Sequence, residues 1–172
     1  MEKFKGIFTA LLTPFDKNYK INEKELEKLV KFNIEKGVTG FYVGGSTAEA
    51  FLLSTDERKQ IMDVVKSVAP NHTLIAHIGS INEIEARELG KHAQKLSYDL
   101  VSSVAPFYYK FSFNEIKNYY FRLAEASQLP MLVYHFPAFS GVNMGVSEMS
   151  EFLSDDRFIG IKYTSNDFFT LE

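Results

Sequence analysis

One lysine closes an otherwise apolar run, Phe158-Ile159-Gly160-Ile161-Lys162. A solvated charge is poorly placed there. Burial lowers an amine's pKa and raises the neutral fraction that attacks a ketone, so Lys162 is a candidate Schiff-base nucleophile. The competing reading is an ammonium that snorkels outward on an apolar stem. Tyr134 lies near the end of a second such run, before His135-Phe136-Pro137-Ala138-Phe139-Ser140-Gly141. A phenol there can shuttle a proton, or it can simply pack as a core ring. A third run ends in Gly44-Gly45-Ser46-Thr47-Ala48-Glu49. Two glycines allow a tight turn whose next N–H groups and hydroxyls, those of Ser46 and Thr47, can converge on a carboxylate. A plain turn capped by Ser or Thr satisfies the same spacing. A fourth run leads into Ala105-Pro106-Phe107-Tyr108-Tyr109-Lys110-Phe111, aromatic enough to wall a site, meet another subunit or cover the rim.

Other chemistries find less support. Among four histidines, His72 and His92 read as surface residues and His77 as a strand residue. His135 reads as a hydrogen-bonded structural histidine, with a pocket-lining position as the alternative. No His-x-x-x-His pair or carboxylate spacing suggests a metal. Cysteine is absent, which removes disulfides and a thiol nucleophile and fits a reducing compartment. A net charge of -3 offers no basic stripe for nucleic acid. The first fifteen residues lack signal-peptide architecture, and no apolar stretch reaches the roughly 20 residues that span a bilayer. A soluble, cytoplasmic protein is expected.

The elements that would position these residues alternate along all 172 residues. Short runs, apolar on both faces, occur at Ile7–Leu12, Gly40–Val43, Thr73–Ile78, Leu100–Val104, Met131–His135 and Phe158–Lys162, as buried parallel strands require. Helical spacing fills the intervals at Asn22–Lys36, Thr55–Ala69, Asn82–Leu96, Ser112–Ser127 and Ser147–Leu153. Asn22 with Glu25 predicts a capping box, and Gly37 a stop. Unbroken alternation implies right-handed βαβ units. A doubly wound nucleotide binder would carry a glycine-rich loop after its first strand, where Leu12-Thr13-Pro14-Phe15-Asp16 stands instead. The expected fold is a (β/α)8 barrel, usually about 250 residues long, cut after about its sixth strand. Residues 1–172 would then be the N-terminal part of one domain, lacking two βα units and the C-terminal helices. Functional groups of such a barrel gather at the strands' C-terminal ends.

These motifs together resemble the family of N-acetylneuraminate lyases and dihydrodipicolinate synthases, the class I, pyruvate-binding aldolases. The resemblance runs from Gly6-Ile7 and Ala10-Leu11-Leu12-Thr13-Pro14-Phe15 through Tyr42–Glu49 to Gly160-Ile161-Lys162. It implies Lys162 as the Schiff-base lysine and Tyr134 as the acid/base tyrosine. Ser46 and Thr47 would hold the keto-acid carboxylate and relay protons, and Thr164 would contact substrate. Tyr109 would reach into a neighbouring subunit of a homotetramer. No cofactor or metal is implied. Pro106–Phe113 and Ser140-Gly141-Val142-Asn143 look like the sialic acid lyase branch, which cleaves N-acetylneuraminate to N-acetylmannosamine and pyruvate. Synthases usually carry arginine two residues after the proline of the tyrosine motif, and Phe139 stands there, unable to neutralise a second carboxylate. Other pyruvate-dependent aldolases, such as a dihydrodipicolinate synthase or a 2-keto-3-deoxy sugar acid aldolase, and a catalytically silent binding fragment are the alternatives. Ala48 replaces the family's usual glycine, which would strain the backbone if that position needs positive φ.

Overall fold

A computed structural model describes residues 2–171. Six strands, β1 Phe8–Ala10, β2 Gly40–Val43, β3 Thr73–His77, β4 Leu100–Val104, β5 Met131–His135 and β6 Phe158–Tyr163, form one parallel sheet in sequence order. The crossovers carry α1 Glu23–Glu35, α2 Thr55–Val68, α3 Glu83–Lys95 and α4 Phe113–Ser127. Between β5 and β6 lie the short α5 Pro137–Ser140 and then α6 Val146–Leu153, and α7 Phe168–Leu171 follows β6. Strands in unbroken order make the arc of a (β/α)8 barrel, whereas a doubly wound sheet must reverse its order somewhere. No helix among the described residues is long and apolar enough to cross a membrane.

Local signals account for the helix limits. Ser54 and Ser112 each form a full capping box, with Glu57 and Glu115. The expected box at α1 forms only by half. Asn22 Oδ1 accepts the Glu25 N–H at 3.2 Å, but the Glu25 carboxylate turns to Lys28 Nζ at 2.6 Å. Gly37 adopts φ +80° and stops α1 as expected. The first strand is shorter than its apolar run, and α6 begins one residue earlier than its pattern suggests.

Strand alternation divides the core in two. Outward residues Phe41, Val43, Leu74, Ala76, Val101, Met131 and Val133 pack with helical Leu26, Val30, Ile61, Val65, Leu89 and Leu123. Inward residues Tyr42, Ile75, Leu100, Val104 and Tyr134 form a second cluster with Phe8, Phe107, Leu132 and Phe136. The pairing of β5 with β6 contains an irregularity: Met131 pairs with Phe158, but Leu132 with Gly160. Ile159 is thus an extra residue, a bulge that reverses the facing of everything after it. Ile161 packs outward, and Lys162 comes level with Tyr134.

The outer core depends on α6 docking through Phe152, which is fully buried with ring centroids 5.1 to 6.3 Å from Tyr120, Phe158, Phe113 and Phe121. Phe152→Ala should therefore lower unfolding stability by about 3–5 kcal/mol in urea titrations. A loss below about 1 kcal/mol would mean that this ring does not hold α6 to the sheet.

Candidate active site

Lys162 is half-buried near the C-terminal end of β6. Its Nζ lies 3.4 Å from the Tyr134 ring centroid and 5.0 Å from that of Tyr42, and donates to Thr164 Oγ1 at 3.1 Å. The amine thus rests on ring faces, where the π quadrupole attracts a cation. Tyr134 is itself buried, edge-on to Tyr42 at 5.9 Å and His77 at 6.0 Å, and stacked on Phe136 at 5.7 Å. Its hydroxyl makes no hydrogen bond among the described residues, so it is free for a ligand. The Tyr42 hydroxyl instead donates to Ser102 Oγ at 3.0 Å, and burial drives its pKa far above the usual phenol value. Tyr42 is a neutral wall for the amine.

The loop after β2 turns at Gly44, whose φ of +69° suits glycine. Residues Ser46–Ala48 then make a single 3-10 turn, with the Gly45 carbonyl accepting from Ala48 at 3.0 Å and Ala50 at 3.3 Å. Buried Thr13 ties the turn down by donating to the Ala48 carbonyl at 2.8 Å. Three consecutive N–H groups, of Gly45, Ser46 and Thr47, have no acceptor among the described residues. With the exposed Ser46 and Thr47 hydroxyls they put unpaired donors on one turn, a donor set suited to an anion. Positive φ falls at Glu49 (59°), not at Ala48, so the alanine carries no left-handed strain.

Two buried residues near the site were not singled out by the sequence, although His77 is the strand residue it was read to be. Arg58 of α2 is 4% exposed and donates to the backbone carbonyls of Gly79 and His77, each at 2.9 Å, while its Nε has no partner. Desolvation lowers its pKa to about 10, which still leaves it charged. His77 is fully buried at the end of β3, facing inward toward Tyr42 and Tyr134. Its Nδ1 lies 2.9 Å from the Gly44 carbonyl, and its Nε2 accepts the Val104 N–H at 3.3 Å. Burial, and then the Arg58 charge, holds its pKa at about 3. Neither residue belongs to a sequence motif; only strand parity at position 77 hinted at an inward histidine.

Among the described residues no hydrogen bond joins the amine to the other expected residues apart from Thr164. Ser46 lines a cleft of about 300 Å³ with Val104, Phe107, Phe136, Phe139 and Ser140. Lys162 lines a different, apolar cavity of about 440 Å³, with Phe8, Tyr42, Ile75, Leu100 and Leu132. Tyr108 and Tyr109 border a groove of about 500 Å³ elsewhere on the rim. Both are exposed, and it is Tyr108 that takes the unusual φ of 76°. His135 is buried and stacks on Tyr163 at 5.2 Å, but its Nδ1 lacks the hydrogen bond expected of a structural histidine. His72 and His92 are half-buried rather than on the surface, and His92 Nε2 lies 3.0 Å from Asp63.

An arc of parallel strands with a lysine at the mouth of β6, beside a tyrosine from β5, defines a class of lysine-bearing (β/α)8 barrels. Residues 3–172 match the dihydrodipicolinate synthetase family, and the chain belongs to it. It is 49% identical, over its whole length, to an N-acetylneuraminate lyase of Pasteurella multocida and covers 59% of that relative. Among solved structures, a Clostridium difficile protein in complex with mannosamine matches 98% of the chain with a TM-score of 0.96 and 44% identity. An N-acetylneuraminate lyase of Fusobacterium nucleatum complexed with pyruvate matches 98% with a TM-score of 0.92 and 43% identity. The chain covers 59% and 57% of those two chains.

The buried imidazole has a measurable consequence. An unfolded chain protonates His77 below about pH 6.5, the folded one only near pH 3. Between these values the unfolded state binds more protons, so stability falls as pH falls, by up to about 1.4 kcal/mol per unit. Urea titrations from pH 7 to 5 should show this decline, and His77→Asn should reduce it, the remainder coming from His135, whose pKa burial also lowers. Equal slopes in both proteins would remove His77 as its source.

Proposed function

We propose that this chain is the lysine-bearing part of a class I aldolase that cleaves N-acetylneuraminate reversibly to N-acetylmannosamine and pyruvate. The observation that carries the reading is the half-buried Lys162 amine, held by Thr164 and packed 3.4 Å above the ring of Tyr134 at the barrel mouth. The substrate is carried over from relatives that bear the lyase name at 49% and 48% identity. Phe139, exposed beside the Ser46 cleft, speaks against a dicarboxylic product, because an apolar ring cannot anchor a second carboxylate.

In this mechanism Ser46 and Thr47, with the free N–H groups of their loop, bind the substrate carboxylate. Neutral Lys162 attacks the C2 ketone of the open-chain sugar acid, and loss of water gives an iminium. Tyr134 takes the proton of the C4 hydroxyl as the C3–C4 bond breaks, and the electron pair passes into the iminium, forming an enamine. Protonation at C3 and hydrolysis release pyruvate and restore the amine. Thr164 positions the amine and touches substrate. No external electron sink enters this scheme, since the protonated imine serves. Residues 1–172 form the N-terminal part of one barrel domain in this proposal. Tyr109, with Tyr108 beside it, serves a neighbouring subunit of a homotetramer. A cytoplasmic location is included, supported by the cysteine-free sequence.

Borohydride reduction in the presence of pyruvate tests the assignment directly. A pyruvate-derived mass should appear on Lys162 and vanish in Lys162→Arg; an adduct on another lysine, or none, would refute it. Tyr134→Phe should retain the adduct while slowing release of N-acetylmannosamine by about 10²–10⁴. Deleting Ile159 should retain trapping at the lysine, because Lys162 then stands three residues after Phe158 on a regular strand and still pairs with Tyr134 on the inward face. Loss of labelling in a variant that still folds would show that pairing with Tyr134 does not set the lysine's facing.

A further inference from the structure

Nothing in the proposed chemistry uses His77, yet it bridges several parts of the site. Its ring stands edge-on to Tyr134 and Phe51, lies 6.1 Å from Tyr42, and contacts backbone from two neighbouring strand ends. The backbone of β4 fixes its tautomer. Val104 donates its N–H to Nε2, so Nε2 must be the unprotonated nitrogen and Nδ1 must carry the hydrogen. Nδ1–H then has one acceptor in reach, the Gly44 carbonyl at 2.9 Å. Arg58 Nη2, 3.4 Å from the same nitrogen, is a second donor there, and one of its two hydrogens goes to the His77 carbonyl.

That carbonyl belongs to the peptide between Gly44 and Gly45, the first peptide of the donor loop. Two consecutive glycines make rotation of this peptide plane inexpensive, because neither residue resists a change of φ or ψ. One orientation points oxygen at His77 and, the peptide being trans, the Gly45 N–H the opposite way. The reverse orientation would replace a donor by a carbonyl oxygen and repel a bound carboxylate. We propose that His77 is a positioning residue that locks the Gly44–Gly45 peptide so that the loop presents donors to the carboxylate of a 2-keto acid. The inference rests on the Schiff-base reading of the site and adds to it a residue that never touches substrate.

The test compares two ketones and two variants. Asparagine places its amide N–H where Nδ1 stood, and glutamine places its amide at the Nε2 position, which serves Val104 but not Gly44. Borohydride trapping at Lys162 is followed against concentration for pyruvate and for acetone, a ketone without a carboxylate. His77→Gln should raise the half-saturating pyruvate concentration roughly tenfold, the worth of about one hydrogen bond, with the maximal trapping rate unchanged. His77→Asn should stay near the wild type, and acetone trapping should be the same in all three proteins. Equal weakening toward both ketones, or unchanged pyruvate dependence in His77→Gln, would overturn the proposal. Nitrogen NMR of the wild-type imidazole at neutral pH needs no variant and no turnover. It should find Nδ1 protonated and Nε2 bare, and the opposite tautomer would refute the lock even if no adduct forms. Absence of any adduct with the expected tautomer would instead refute the Schiff-base reading alone.

Discussion

Which face of the sheet a residue occupies depends on its parity along the strand, and one bulge decides that parity for Lys162. Phe158 pairs with Met131, and both pack outward beneath the helices. Four residues further along a regular strand, position 162 would share that face. A lysine there would have to desolvate among residues such as Phe152 and Met149, with no counter-charge, at a cost of several kcal/mol. The extra residue Ile159 exchanges the two faces. The amine is delivered to the aromatic inner layer, at the same level as Tyr134.

The inner layer is built to hold a cation without quenching it. Its polar members near the amine are neutral: Tyr42 keeps its proton because burial disfavours the phenolate, and His77 stays uncharged because burial and Arg58 disfavour imidazolium. Among the described residues neither Lys162 nor Arg58 has a carboxylate in ion-pairing range. The ring faces and the Thr164 hydroxyl stabilise the amine weakly, by cation–π attraction and one hydrogen bond. A carboxylate partner would fix the ammonium form far more firmly. Leaving it out leaves positive potential in the mouth for an anionic ligand.

Much of this was readable without coordinates, for physical reasons that differ by element. The six strands announced themselves because both of their faces are buried, so each is an apolar run bounded by turns. The helices were marked by spacing, and α1 also by Gly37 at its end. Lys162 and Tyr134 stood out because a polar group near the end of a buried strand breaks an apolar pattern. Arg58 was not, because an arginine on an amphipathic helix normally reads as solvated. Its burial follows from the carbonyls of His77 and Gly79, which lie some twenty residues away in sequence. The bulge was equally hidden, since the strand reads as apolar in either register. The α1 capping box failed for a local reason: Lys28, one turn on, offers Glu25 a charge-assisted bond that competes with a backbone amide. That is why a motif of the right residues did not close.

Gly79 shows how far upstream the geometry of the donor loop is set. A Cβ at that position would come within 2.8 Å of Ser103 Oγ, 2.9 Å of His77 Nε2 and 3.1 Å of the Val104 nitrogen. Any side chain there would wedge apart the contact between the imidazole and the β4 backbone. The Val104 N–H would then lose its acceptor inside a water-poor layer, and the imidazole would lose the bond that fixes its tautomer. The glycine is therefore required by a hydrogen bond to which it does not itself contribute. Its own carbonyl is put to use, since Arg58 accepts confinement beneath the sheet only because that oxygen and the His77 carbonyl satisfy its guanidinium. Arg58, Gly79 and Val104 thus fix the imidazole from three separate elements, α2, the β3–α3 connection and β4. Such over-determination is what a peptide flanked by two glycines needs, because its own backbone offers almost no resistance to turning.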